Sequence, residues 1–149
     1  MSKISIVTIA KEIKEIHPND IVLIKSGNFY KVYGKDAYII SNLFKYTVKE
    51  DEGIASCGFP INSIKKVETR LESKKVNYMV VDKRDNYRVN DKVEFKNLNS
   101  YEEEFESSKT YVKNSKRIEA IYEYLLKNAE DENLKNILKG FEDIINAKR

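Results

Sequence analysis

Four β-favouring apolar residues in succession, Ile21-Val22-Leu23-Ile24, leave a strand with no side that tolerates solvent. Side chains along a strand alternate between two faces, so this run needs apolar cover on both. A sheet held between helices supplies that cover. The flanking sequence agrees. Ile6, Ile9, Ala10, Ile13 and Ile16 recur at helical spacing, with Lys11, Glu12, Lys14 and Glu15 on the other face. His17-Pro18-Asn19-Asp20 ends that helix, because proline disfavours helical geometry at the residue before it. After the run, Ser26-Gly27-Asn28 predicts a turn, with Phe29 to Tyr33 as the partner strand of a hairpin.

Further on, Ala37, Ile40, Leu43 and Phe44 mark one face of a short helix, and Gly34 precedes it. Tyr46-Thr47-Val48 reads as strand, Lys49 to Gly53 as a polar loop, and Ile54 to Cys57 as a short strand broken at Gly58 and Pro60. Ile64, Val67 and Leu71 predict a helix whose other face carries Lys65, Lys66, Arg70 and Lys74. Asn77 to Val81 reads as a second central strand. Tyr87, Val89, Val93 and Phe95 fall in edge strands around an Asn90-Asp91 turn. After Asn97 the pattern changes. Ile118, Ile121, Tyr122, Leu125 and Leu126 define one amphipathic helix, and Leu134, Ile137, Leu138, Phe141, Ile144 and Ile145 a second. The short polar link Asn128 to Asn133, with Asp131 as N-cap, predicts a helical hairpin. The expected fold is mixed α/β: a central mixed sheet of about five or six strands flanked by helices. The expected domains are residues 1–97 for the α/β part and 98–149 for a C-terminal hairpin, packed on it or used for association with a protein partner or a second copy.

Composition excludes several classes. The chain has 149 residues, 41% hydrophobic and 34% charged, which suits one globular core rather than disorder. No apolar run reaches the ~20 residues of a membrane span, and Met1-Ser2-Lys3-Ile4-Ser5 has no apolar stretch before a cleavage site, so neither membrane nor secretion is expected. One cysteine, Cys57, cannot make an internal disulfide, and a reducing cytoplasm is the economical expectation. One histidine, His17, cannot join it in a zinc site or a nucleophile–base pair. No glycine-rich P-loop or carboxylate cluster for phosphodiester chemistry is found. An enzyme, a resident metal and a cofactor are therefore not expected. Residues 1–99 carry 18 basic and 13 acidic side chains, and residues 100–149 carry 9 and 11. Positive charge thus lies with the α/β part.

The stretch from His17 to Asn86 carries a series of motifs in order. His17-Pro18-Asn19-Asp20 precedes the apolar strand. Gly27-Asn28-Phe29-Tyr30-Lys31 follows, then Lys35-Asp36-Ala37 at a helix start, then Cys57-Gly58-Phe59-Pro60, and finally a helix leading to Asn77-Tyr78-Met79-Val80-Val81. This series resembles the N-terminal, mismatch-recognition domain of the MutS DNA-repair proteins. That family has Pro-Asp before the strand, Gly-Asp-Phe-Tyr-Glu, an acidic-Asp-Ala helix start and Cys-Gly-Val-Pro at similar spacing. The resemblance covers roughly residues 6–95 and implies a stand-alone MutS-like protein without the family's ATPase. Stand-alone relatives of this kind also occur beside the reverse transcriptases of retroelements.

In that family the Phe wedges into the minor groove at a mispair and the Glu hydrogen-bonds the base, because an apolar wedge kinks a weakened step more cheaply than a paired one. Phe29 matches the wedge. Lys31 stands where the Glu belongs, and a lysine has donors but no acceptor, so it suits a phosphate rather than the base contact. Asn28 replaces the family's Asp. With Lys25 and Lys35 nearby, the resemblance implies that Phe29, Lys31, Lys25, Asn28 and Lys35 bind nucleic acid. Mismatched, distorted or hairpin DNA is the expected partner, or RNA, with mismatch specificity reduced. The alternative is a protein-interaction module on the same scaffold, an accessory subunit of a retroelement or repair complex.

Overall fold

The computed structural model describes residues 4–96 and 99–148. The described residues up to Val112 form one compact unit and those from Lys113 onward a second.

The first unit is a six-stranded sheet between helices. Helix α1 (Ile6–Ile16) leads into β1 (Ile21–Ser26) and β2 (Phe29–Tyr33). Then come α2 (Lys35–Phe44), β3 (Lys49–Asp51), β4 (Ile54–Pro60), α3 (Ile64–Ser73), β5 (Tyr78–Asp82), β6 (Arg88–Val93) and the first half of α4 (Ser100–Lys127). The strand order is β3-β4-β2-β1-β5-β6. Every junction is antiparallel except β1–β5, where Ile21 to Lys25 pair in parallel with Tyr78 to Asp82. This is the mixed α/β sheet the sequence predicts.

The all-apolar run is central, as its composition demands. Ile21 and Leu23 face one core with Tyr30, Val32, Phe59 and Tyr78, under α2, α3 and Tyr101 of α4. Val22 and Ile24 face the other with Tyr33, Met79 and Val81, under Val7 and Ala10 of α1. Ser5 caps α1 by accepting the Thr8 N–H at 3.1 Å. Gly27 at φ +61° gives the β1–β2 hairpin the left-handed first turn residue that side chains resist.

Several local expectations for this unit need correction. Tyr46-Thr47-Val48 is not a strand. Lys45 ends α2 in the left-handed region, Tyr46 stacks its ring on Phe44 and Phe59, and its carbonyl accepts from the Ser41 hydroxyl. Pairing begins instead at Lys49, inside the expected loop, because Glu52 and Gly53 both have positive φ and close a tight hairpin. Gly58 does not break β4; Cys57 and Phe59 on either side are anchored in the core and carry the strand to Pro60. Asn90-Asp91 is no turn. β6 runs through it, with Asn90 as the extra residue of a β-bulge between Val89 and Asp91, and the reversal lies earlier, at Lys83 to Tyr87.

In the second unit the remainder of α4 and α5 (Leu134–Ala147) are joined by residues 128–133. The N-cap position of α5 is Asn133, and Asp131 accepts its N–H at 2.9 Å rather than capping the helix itself. Ile137, Leu138, Phe141, Ile144 and Ile145 are 42–60% exposed. Ile118, Ile121, Tyr122, Tyr124 and Leu126 of α4 are exposed as well. Among the described residues no helix is long and apolar enough to cross a membrane.

Candidate nucleic-acid interface

Strand alternation decides which aromatic of Phe29-Tyr30 is available. Tyr30 is buried and stacks on Phe59 with ring centroids 5.5 Å apart. Phe29 therefore points to the other face, where it is 50% exposed. Lys31, two residues on, shares that face. It makes no ion pair or hydrogen bond among the described residues, so its ammonium is free for an external anion.

The register explains why this corner of the sheet is open. Phe29 pairs with Pro60 and Lys31 with Gly58 on β4. Directly opposed residues share a face, and Gly58 has no side chain to cover Lys31. A Cβ built at Gly58 would lie 3.4 Å from the Tyr30 carbonyl, so a larger residue could be accommodated here. On the far side β3 reaches only back to Lys49, opposite Ser56, and leaves the Gly58 half of β4 without a neighbour. The result is a groove lined by Phe29, Lys31, Lys49, Ser56 and Gly58, with Tyr46 and Thr47 along its rim. It presents one aromatic face, two ammonium groups and hydroxyl donors. That combination suits a polyanion with exposed bases.

The other implied residues lie elsewhere around the hairpin. Asn28 is in the exposed turn next to Phe29, and its carbonyl accepts the Ile61 N–H at 3.0 Å. Lys25 pairs with Tyr30 across the hairpin and so lies on the face opposite Phe29. Lys35 sits past the far end of β2, 3.6 Å from Glu102 and over the Phe105 ring. The structure thus brings Phe29 and Lys31 together with Asn28 beside them, and keeps Lys25 and Lys35 apart from them. Lys49 and Gly58 escaped the sequence reading as site residues because only the β2–β4–β3 register puts them there. Of the basic face on α3, Lys66 lies over the rings of Phe44 and Tyr46, which extends positive charge to the groove's rim.

A family model for MutS domain I matches residues 7–101, most of the first unit. The chain belongs to the MutS domain I family. No curated protein matches it. In MutS, domain I is a DNA-binding part that performs no catalytic step. The matched span ends at Tyr101, whose hydroxyl donates to the Asp36 carboxylate at 2.5 Å, so the start of α4 is tied to this domain. Asp36 is the acid of the family-like helix start. It is buried, accepts the Val22 N–H at 2.9 Å and pairs with Lys14 at 2.8 Å. Burial pushes its carboxyl up, against the pull of Lys14, Tyr101 and the Val22 N–H. All its partners lie within the domain, so this cluster braces the fold. Cys57, between the groove residues Ser56 and Gly58, pairs with Val32 and turns its side chain into the core on the other face, and burial pushes its thiol up to about 11, which keeps it a thiol at neutral pH. Among the described residues no three His, Cys, Asp or Glu side chains come together as a metal would require.

Proposed function

We propose that this chain is a non-catalytic, nucleic-acid-binding accessory protein that grips distorted or hairpin DNA through the Phe29–Lys31 groove. Family membership supports the DNA part of the reading. The observation that carries it is the half-exposed Phe29 on the same open face as the unpaired Lys31, with Tyr30 turned into the core. The ring supplies an apolar wedge, and a wedge acts where a base step is already weak. Lys31 and Lys49 supply phosphate contacts, which hold any sequence and weaken with salt. Neither lysine can accept a hydrogen bond from a mispaired base. Discrimination between mismatched and matched duplexes is therefore small, and discrimination between kinked and straight duplexes is large.

The test is a titration of full-length protein against matched, mismatched and hairpin DNA duplexes, single-stranded DNA and an RNA hairpin, at low and at moderate salt. Hairpin DNA should bind most tightly, mismatched and matched duplexes should bind more weakly and with similar affinity, and every affinity should fall steeply as salt rises. Absence of binding to every probe at low salt overturns the proposal. A clear preference for the RNA hairpin would reassign the substrate, and a strong preference for mismatched over hairpin DNA would refute the role given to Lys31.

A further inference from the structure

Helix α5 carries an apolar stripe that its own unit leaves half exposed. Ile137, Leu138, Phe141, Ile144 and Ile145 recur three and four residues apart, so they lie in line on one face, and each is 42–60% exposed. Exposed singly such residues need no explanation, but a contiguous stripe of this length marks an interaction surface. What covers it is written in the borders of the stripe.

One border carries Lys135 and Glu142, seven residues apart and therefore aligned along the helix. They are opposite in sign. The other border carries Asn133, Gly140 and Ala147, small or uncharged. If a second α5 lies antiparallel on the first, with Phe141 against the second copy's Ile137, each Lys135 falls beside the other copy's Glu142. Symmetry makes that pair twice. A parallel arrangement would set this border against the second copy's Asn133–Gly140–Ala147 border and make neither pair. The pattern is thus self-complementary in one orientation only.

Gly140 adds a separate reason. A glycine in mid-helix costs about 1 kcal/mol relative to alanine, and within its own unit a Cβ here would meet nothing within 4 Å, so that unit's packing does not require it. A helix brought close along that border would. The available area is also sufficient. Nine exposed large apolar side chains, the five of α5 and Ile118, Ile121, Tyr122 and Leu126 along one side of α4, at about 100 Å² each for half of such a side chain, offer about 900 Å² per copy, where a stable interface uses about 800 Å². Its charges are nearly balanced, eight basic against seven acidic over residues 113–149, so a second copy is not repelled and a strongly charged partner is not selected.

We infer that α5 is the contact of a homodimer, two copies packing antiparallel through the Ile137–Phe141–Ile145 stripe with exposed apolar residues of α4 alongside. The dimer places two copies of the first unit in one particle and does not depend on whether that unit binds DNA.

Sedimentation velocity on the full chain at about 1–100 µM reads this directly. The wild-type protein should sediment as a dimer. Phe141→Asp should yield a monomer with unchanged helix content, raising the dimer constant by about 100-fold or more, as loss of a buried aromatic anchor does. Lys135→Glu and Glu142→Lys, both on exposed positions that cannot affect folding of the core, should each weaken the dimer by about fivefold, and the double exchange should restore it. A wild-type chain that stays monomeric at about 100 µM overturns the inference. So does a dimer that neither Phe141→Asp nor the single charge reversals weaken.

Discussion

The Lys14 ammonium and the Asp36 carboxylate meet at 2.8 Å at the point where β1 begins, joining α1 to α2. The same ammonium donates to the Asp20 carbonyl at 2.5 Å, and the same carboxylate takes the Tyr101 hydroxyl and the Val22 N–H. Four elements are thereby tied through one buried acid. Removing the cation alone leaves that acid without its counter-charge, whereas removing both charges does not. Lys14→Met should therefore cost about 3 kcal/mol, and Lys14→Met with Asp36→Asn should cost less than the single change. Urea denaturation of the four proteins in the cycle measures this.

Phe29 and its neighbour Tyr30 should respond in opposite ways to truncation. Phe29→Ala removes a half-exposed ring, so stability should change by less than about 1 kcal/mol, while affinity for a hairpin duplex should fall by about 1–3 kcal/mol. Tyr30→Ala empties a buried position and should cost about 3–5 kcal/mol of stability. Thermal melts beside binding isotherms separate the two. A Phe29→Ala protein that melts like Tyr30→Ala would return this ring to the core.

Lys31→Glu should lower affinity for every duplex and flatten the salt dependence by about one phosphate contact. It should also raise the ratio of mismatched to matched binding, because a carboxylate acceptor returns to the position beside the wedge. Isotherms at several salt concentrations give both quantities.

Gly58→Val should leave the fold intact, since the Cβ meets only the Tyr30 carbonyl at van der Waals distance and β-branched residues favour strands. It should reduce nucleic-acid binding as strongly as Phe29→Ala by filling the groove opposite Lys31. Unchanged binding would move the contact surface off β4.

Alkaline pH should destabilise the domain. Cys57 rises from 9.0 to about 11 by burial, and Tyr33 from 10.0 to about 12 by burial and the nearby Asp51. Both groups hold their protons more tightly folded than unfolded. Their contribution is complete below about pH 9 and is lost as pH climbs through the folded values. Cys57→Ala should flatten the lower part of that decline. Tyr33→Phe should flatten the upper part of that decline. Melting temperatures across that range provide the measurement.

The β1 run, the Gly27 turn and the helices α1, α2 and α3 were legible in the sequence because each is set by local pattern. What was not legible depends on register. Gly58 reads as a breaker until Cys57 and Phe59 are seen in the core, and Asn90-Asp91 reads as a turn until Val89 and Asp91 are seen bonded to β5 on either side of the extra residue. The groove suffers the same limit. Phe29 and Lys31 announce themselves by motif, but Lys49 belongs with them only through a three-residue strand whose turn, Glu52-Gly53, hides in a polar stretch.

The two outermost strands have a consequence for how the molecule meets its own kind. β3 offers only Lys49-Glu50-Asp51, and β6 offers Arg88 to Val93 with a bulge at Asn90 and charges at Arg88, Asp91 and Lys92. Short, charged or kinked borders refuse further backbone ladders. The sheet is finished at six strands, shielded from fibre-like growth, and any lasting assembly must be specified by side chains, where sequence can choose the partner.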